Sequence, residues 1–252
     1  MNTSEKLSRY NGKAVVIAGP TGSGKTGVSI EIAKEIGGEI ISADSRAIYK
    51  GMDIGTAKPS MKERDGVPHF GFDLIEPGER FTVADWKEYA ERKIEEVRNR
   101  GHVPIIVGGT GLYIDALIYN YSFTDEAKNK YLDRKKMCSD FVVVCIGWEK
   151  AKLVERLKLR ADKIFVQELY DETRELVKKY DWNTQAMKSN IYQFAWEYMC
   201  GKKSLKEAKS QFVTDDWHLA KRQITWFRRN KQIEWLPLEK VKPYVLKCIQ
   251  NE

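Results

Sequence analysis

The run Gly19-Pro-Thr-Gly-Ser-Gly24-Lys25-Thr26 matches the GxxxxGK[ST] spacing in full. Such spacing cradles phosphate. Glycines let successive backbone N–H groups turn toward one point, and the first turn of a following helix adds partial positive charge. Gly19, Thr21, Gly22, Ser23 and Gly24 are candidate phosphate contacts, Lys25 can reach a terminal phosphate oxygen, and Thr26 can hold Mg²⁺. The loop does not say what becomes of the phosphate. Two further residues bear on that. Asp44, in "EIISADS", can act as a general base toward a second substrate; helix capping is the alternative use of an aspartate there. Thr110, in "GGTGLY" (108–113), offers a hydroxyl after glycines that admit a ligand close to the backbone, although a simple turn would explain that string alone. Phosphoryl-transfer enzymes with this loop usually carry a later apolar strand ending in Asp, which orders Mg²⁺ and water. Here "PIIVGG" ends in glycines and "FVVVCIGW" ends in Trp148. That carboxylate is missing.

These residues need elements to position them. "KAVVIAGP" (13–20) reads as a buried parallel strand feeding the loop. "GKTGVSIEIAKEIGG" follows at helical spacing, with Val28, Ile32 and Ile36 on one face and Gly37-Gly38 as the stop. "EIISADS" is a second strand delivering Asp44 and Ser45 at its tip. "FTVADWKEYAERKIEEVRNRG" is an amphipathic helix: Thr82 and Asp85 form a capping box, Val83, Trp86, Ala90, Ile94 and Val97 the apolar stripe, and Gly101 the C-terminal cap. "VPIIVGGTG" and "FVVVCIGW" (141–148) are the third and fourth strands. Beyond them the chain turns helical, with Leu153, Leu157, Ile164, Leu169 and Leu176 at helical intervals and further helical stretches around 184–200 and 204–230. "QIEWLPL" is a last strand-like segment before a short tail. Strands alternating with helices predict an α/β fold: a P-loop NTPase-like parallel sheet flanked by helices, with a helical C-terminal part. Strand tips converge above such a sheet, so Asp44 should face the phosphate loop.

A net charge of +7 over 252 residues suggests a polyanionic partner. "KNKYLDRKK" (128–136) and "KRQITWFRRNK" (221–231) concentrate the cations, the second with Trp226 and Phe227 interleaved. A solvated helix face is the bland alternative for both. No apolar run approaches the roughly 18 residues of a membrane span. The start, "MNTSEKLSRYNGK", lacks the apolar stretch of a signal peptide, so a cytoplasmic protein without a membrane partner is expected. Four cysteines without CxxC spacing read as reduced thiols, and three scattered histidines argue against a histidine metal site.

"GPTGSGKT", "ISADSRAIYKGMDIGTAKP", "GVPHFGFDLIEPGERFTVADW", "PIIVGGTGLYIDAL" and "LAKRQITWFRR", in this order, resemble the tRNA dimethylallyltransferases, the isopentenyltransferases that modify the adenosine just 3′ of the anticodon. The likeness spans nearly the whole chain. "YKGMDIGTAKP" is its most specific stretch, because no generic phosphate-binding rule demands it. The resemblance implies that the loop holds the diphosphate of dimethylallyl diphosphate, not ATP. Asp44 would take the proton of the attacking adenine N6 amine, Thr110 would hydrogen-bond near the reacting centre, and Lys25, Thr26 and Mg²⁺ would neutralise the leaving diphosphate. Asp44, Ser45, Arg46, Ala47, Lys221, Arg222 and Arg228 would face the anticodon arm of the tRNA, and a monomer is expected.

The chain departs from the family pattern at named places. A P-loop core over 1–123 is followed by only 124–140 where the family carries a helical tRNA-gripping insertion. Residues 141–252 then supply the last core strand and the helical part. Ala47 stands where the family has Gln. Asp216-Trp217-His218 replaces Thr-Arg-Gln, so the expected diphosphate-clamping Arg is Trp217, with Lys221 and Arg222 as possible substitutes. Ile191-Tyr192 replaces a Gly-Tyr pair, and Phe70 the second of two histidines. A P-loop kinase and a catalytically weakened RNA-binding relative are the competing readings.

Overall fold

The computed structural model describes residues 10–123 and 136–250. The basic run 128–135 and most of the shortened insertion lie outside the described residues. Six strands form one sheet: β1 Ala14–Ala18, β2 Gly38–Ser42, β3 His69–Phe70, β4 Val103–Gly108, β5 Phe141–Ile146 and β6 Glu234–Leu236. Their order is β3-β2-β4-β1-β5-β6 and every pairing is parallel. The helices are α1 Lys25–Ile36, α2 Met61–Arg64, α3 Val83–Asn99, α4 Gly111–Ile118, α5 Lys150–Ile164, α6 Gln167–Lys179, α7 Asn190–Met199, α8 Leu205–Arg228 and α9 Leu238–Ile249.

Every residue of β1, β2 and β4 is buried, the signature of a parallel sheet covered on both faces. Alternation along β1 divides the core. Val15 and Ile17 pack with Ile32 and Ile36 of α1 and with Val241, Val245 and Ile249 of α9. Ala14, Val16 and Ala18 face the other way, onto Trp86, Ala90 and Ile94 of α3 and Ile114 of α4. The capping box starts α3 as expected: Thr82 accepts from the Asp85 backbone, and Asp85 returns a bond to Thr82. A third core joins Ile48 and Met52, in the stretch after β2, to Leu169, Leu176, Tyr192 and Phe212 of the C-terminal helices.

Four details differ from the sequence reading. Gly37 alone caps α1; Gly38 opens β2, with Ile105 and the Val103 carbonyl packed on its Cα. The long helical stretch after β5 breaks at Phe165–Val166 into α5 and α6, because both flanking faces must reach the third core. Residues 184–189 form turns, and α7 begins only at Asn190. The tail is not short and loose. It is α9, which buries Val241, Val245 and Ile249 on the sheet despite Pro243 inside it. Proline there forfeits one i→i−4 bond, which hides the helix from a propensity reading.

Candidate active site

The loop leaves β1 at Gly19 and enters α1 at Lys25. Gly22 sits at φ +74°, and a Cβ there would fall 2.8 Å from Leu157 of α5. Backbone twist and packing both require glycine at that point. Lys25 Nζ donates to the carbonyls of Gly19 (2.9 Å) and Pro20 (2.7 Å) of its own loop. Burial lowers its pKa from 10.5 to about 8, against the opposing pull of Asp44.

Residues far along the chain brace this loop. Trp148, after β5, donates its indole N–H to Ser23 O at 2.9 Å. Arg156 Nε donates to Gly22 O at 2.7 Å, and its guanidinium lies 4.6 Å from the Trp148 ring. Gln223 of α8 accepts from Thr21 N (2.8 Å) and donates to Gly109 O (3.0 Å), stitching the loop to the β4–α4 turn. Asp216 pairs with Arg160 of α5 and accepts from the Thr21 hydroxyl at 3.5 Å. Burial pushes the Asp216 carboxyl up, with Arg160 opposing.

The tips of β2 and β4 meet the loop, as a parallel sheet dictates. Thr110 N donates to Ala43 O (3.2 Å), Ser45 N donates to the Thr110 hydroxyl (3.0 Å), and that hydroxyl donates to Ser45 Oγ (3.2 Å). Asp44 Oδ1 accepts the Arg46 N–H at 2.8 Å. This is an Asx turn that orients the carboxylate and leaves its other oxygen uncommitted among the described residues. Arg46 donates in turn to Gln185 O at 3.1 Å.

Together these residues line one cavity of about 860 Å³. It contains Thr21 to Thr26 of the loop, Asp44, Ser45, Arg46, Thr110 and Arg222. Gly19 lies beneath, with its carbonyl on Lys25. Three expected contacts do not line it. The side chain of Ala47 is buried, at 4% exposure. Lys221 is exposed on α8 outside the cavity, and Arg228 lies 5.6 Å over the Trp235 ring. Trp217 also points elsewhere, its ring 5.5 Å from Lys150.

Three further cations of the cavity come from α5. Arg156, Arg160 and Lys163 recur at intervals of four and three residues on one face and all line the chamber. That spacing is visible in the sequence, but only the packing of α5 on the loop gives the face a direction. Neither β4 nor β5 presents a carboxylate at its tip. Among the described residues there is no cluster of three metal-ligating side chains. The Thr26 hydroxyl beside the loop is a hard oxygen donor, which suits Mg²⁺ shared with phosphate oxygens.

A parallel sheet whose first strand runs through such a loop into a helix defines a P-loop phosphate-binding α/β protein. The family model described as IPP transferase matches residues 47–140 and 128–230, and the chain belongs to that family. A curated tRNA dimethylallyltransferase of Acetivibrio thermocellus is 37% identical, covering 88% of this chain and 90% of the relative. The full-length tRNA isopentenylpyrophosphate transferase of Bacillus halodurans superposes with a TM-score of 0.80 at 30% identity, covering 94% of this chain and 95% of that one. Its counterpart from Staphylococcus epidermidis gives 0.77 at 33%, covering 93% and 96%. No helix among the described residues is long and apolar enough to cross a membrane.

Proposed function

We propose that this chain transfers a dimethylallyl group from dimethylallyl diphosphate to the N6 amine of the adenosine 3′-adjacent to the anticodon in tRNA. One observation carries the reading: the phosphate loop shares its chamber with the Asp44–Thr110 pair, while the ends of β4 and β5 carry no acid to activate water. The relatives' names supply the tRNA acceptor and the dimethylallyl group.

The N6 lone pair attacks the allylic carbon, the carbon–oxygen bond breaks, and diphosphate leaves with the bonding electrons. The amine proton passes to the free oxygen of Asp44, which the Arg46 N–H holds in place. Thr110 fixes the Ser45 backbone beside it. The loop amides and Lys25 receive the charge that develops on the leaving group. Mg²⁺, when bound, would supply further charge neutralisation on the diphosphate, and Thr26 would hold it from this chain. Arg156, Arg160, Lys163 and Arg222 line the same space and take the clamping role that Trp217 cannot. The target base must leave its stack to reach the chamber, at a cost of a few kcal/mol.

The family match falls in two segments overlapping at 128–140, and the alignment to the Acetivibrio relative runs over 283 positions against 252 residues here. Both support a shortened insertion after residue 123, with the core and the C-terminal helices making the remaining grip on RNA. A tRNA acceptor is consistent with work in the cytoplasm.

The test is incubation with Mg²⁺, labelled dimethylallyl diphosphate and an unmodified tRNA, followed by nuclease digestion and mass spectrometry. N6-prenyladenosine is expected, and Asp44→Asn should lower kcat by about a hundredfold or more, as loss of a general base does. Binding of tRNA with no product would instead favour a relative that has lost catalysis.

A further inference from the structure

The stretch "GMDIGTAKP" is not demanded by phosphate binding, and the fold gives it a partner. Glu172, on α6, places its carboxylate against three successive backbone N–H groups. Oε2 accepts from Asp53 N and Ile54 N, each at 2.8 Å, and Oε1 accepts from Gly55 N at 2.9 Å. Oε1 also accepts the Tyr192 hydroxyl at 2.9 Å. Successive N–H groups turned inward form a concavity suited to an anion, and here the anion is a side chain from more than a hundred residues away. Gly55 is required by the approach: a Cβ there would lie 2.5 Å from the Tyr192 ring. Lys58 closes the other end of the stretch. Its side chain is 3% exposed and pairs with Asp53 (2.7 Å) and Asp73 (2.6 Å) while donating to Tyr49 O (2.6 Å).

What these bonds hold is a wall of the chamber. Gly55, Thr56 and Ala57 line the cavity, and Ala57 is kept at φ +55°, a conformation that an alanine does not adopt without support. The chain leaves the cavity after Arg46 and returns to it at Gly55. The bonds that brace the phosphate loop come from other residues, Trp148, Arg156 and Gln223.

We infer that Glu172 is a positioning residue that sets residues 53–57 as the acceptor-side wall, against which the nucleotide of the RNA rests. This rests on the transferase reading above. Glutamine is nearly isosteric but offers one acceptor oxygen, and its NH₂ would face donors, so Glu172→Gln breaks the arrangement without opening a cavity. Tyr192→Phe removes only one of the four donors.

The experiment uses the full chain with an unmodified tRNA as acceptor and inorganic diphosphate as the probe of the loop. Glu172→Gln should raise the KM for tRNA about tenfold and leave the Kd for diphosphate within about twofold. Glu172→Asp, which keeps both oxygens, should recover part of the loss, and Tyr192→Phe should stay within about threefold of the parent. Amide hydrogen exchange at residues 53–55 should accelerate in Glu172→Gln. A parent-like KM overturns the inference. So does a parallel loss of tRNA and diphosphate binding, which marks a merely structural role. If the parent protein makes no prenyladenosine, the reaction reading fails, and tRNA Kd together with the exchange at 53–55 still decides the role of Glu172.

Discussion

At the phosphate end of the chamber the loop is folded by its own short chain, with Lys25 reaching Gly19 and Pro20, six and five positions back, and Trp148, Arg156 and Gln223 only brace the finished turn from outside. At the facing wall the contacts cross most of a domain: Glu172 reaches Asp53 over 119 positions, and Arg46 reaches Gln185 over 139. The first is a backbone device, in which glycine-rich chain and a helix N-terminus need only one conformation to work. The second is built from side chains that find each other when the C-terminal helices pack on the sheet. The difference predicts that the two ends fail independently.

The largest effect that sharpens this contrast is Lys25→Ala. It removes the charged contact and should weaken inorganic diphosphate binding by about a hundredfold, with tRNA binding within a few-fold. Titration calorimetry reads both. Equal losses in the two would erase the distinction between the ends.

Arg156→Gln should be milder. Its Nε bond to Gly22 O and its stacking on Trp148 brace the loop from outside. About tenfold weaker diphosphate binding is expected. Parent-like affinity would show that the loop holds its shape without α5.

The smallest effect is in pH. With its pKa lowered to about 8, the Lys25 ammonium is charged below that value and gives up its proton as pH rises through it, well before a free lysine at 10.5. Diphosphate affinity should therefore fall several-fold between about pH 7 and 9. Lys25→Arg, whose guanidinium stays charged, serves as the control for the ligand's own ionisation. Identical profiles for the two would remove Lys25 as the titrating group.

The same contrast explains what was legible in advance. β1, the loop, α1, the tip of β2 and the GGTGLY turn could be read because strand and helix periodicities and a glycine pattern are local. Asp44 was placed beside the loop because parallel strands bring their C-terminal tips together. Arg156 and Arg160 were not singled out, since a helical row of cations looks the same whether it faces water or a phosphate. Trp217 stands where the motif calls for a diphosphate-clamping Arg, and α8 turns its ring toward Lys150. The helix α9 escaped because Pro243 reads as a breaker until the apolar residues around it are seen against the sheet.

Read along the chain, the residues were enough to settle a phosphate cradle on a parallel α/β sheet, an acid at the neighbouring strand tip, and the family. These follow from spacing over a few residues, which the backbone converts into structure directly. Which cations face the cradle, why "GMDIGTAKP" has the residues it has, and where the chamber's second wall comes from were decided only by tertiary packing. Each depends on the direction of a helix face and on partners more than a hundred residues apart, and no local pattern records either.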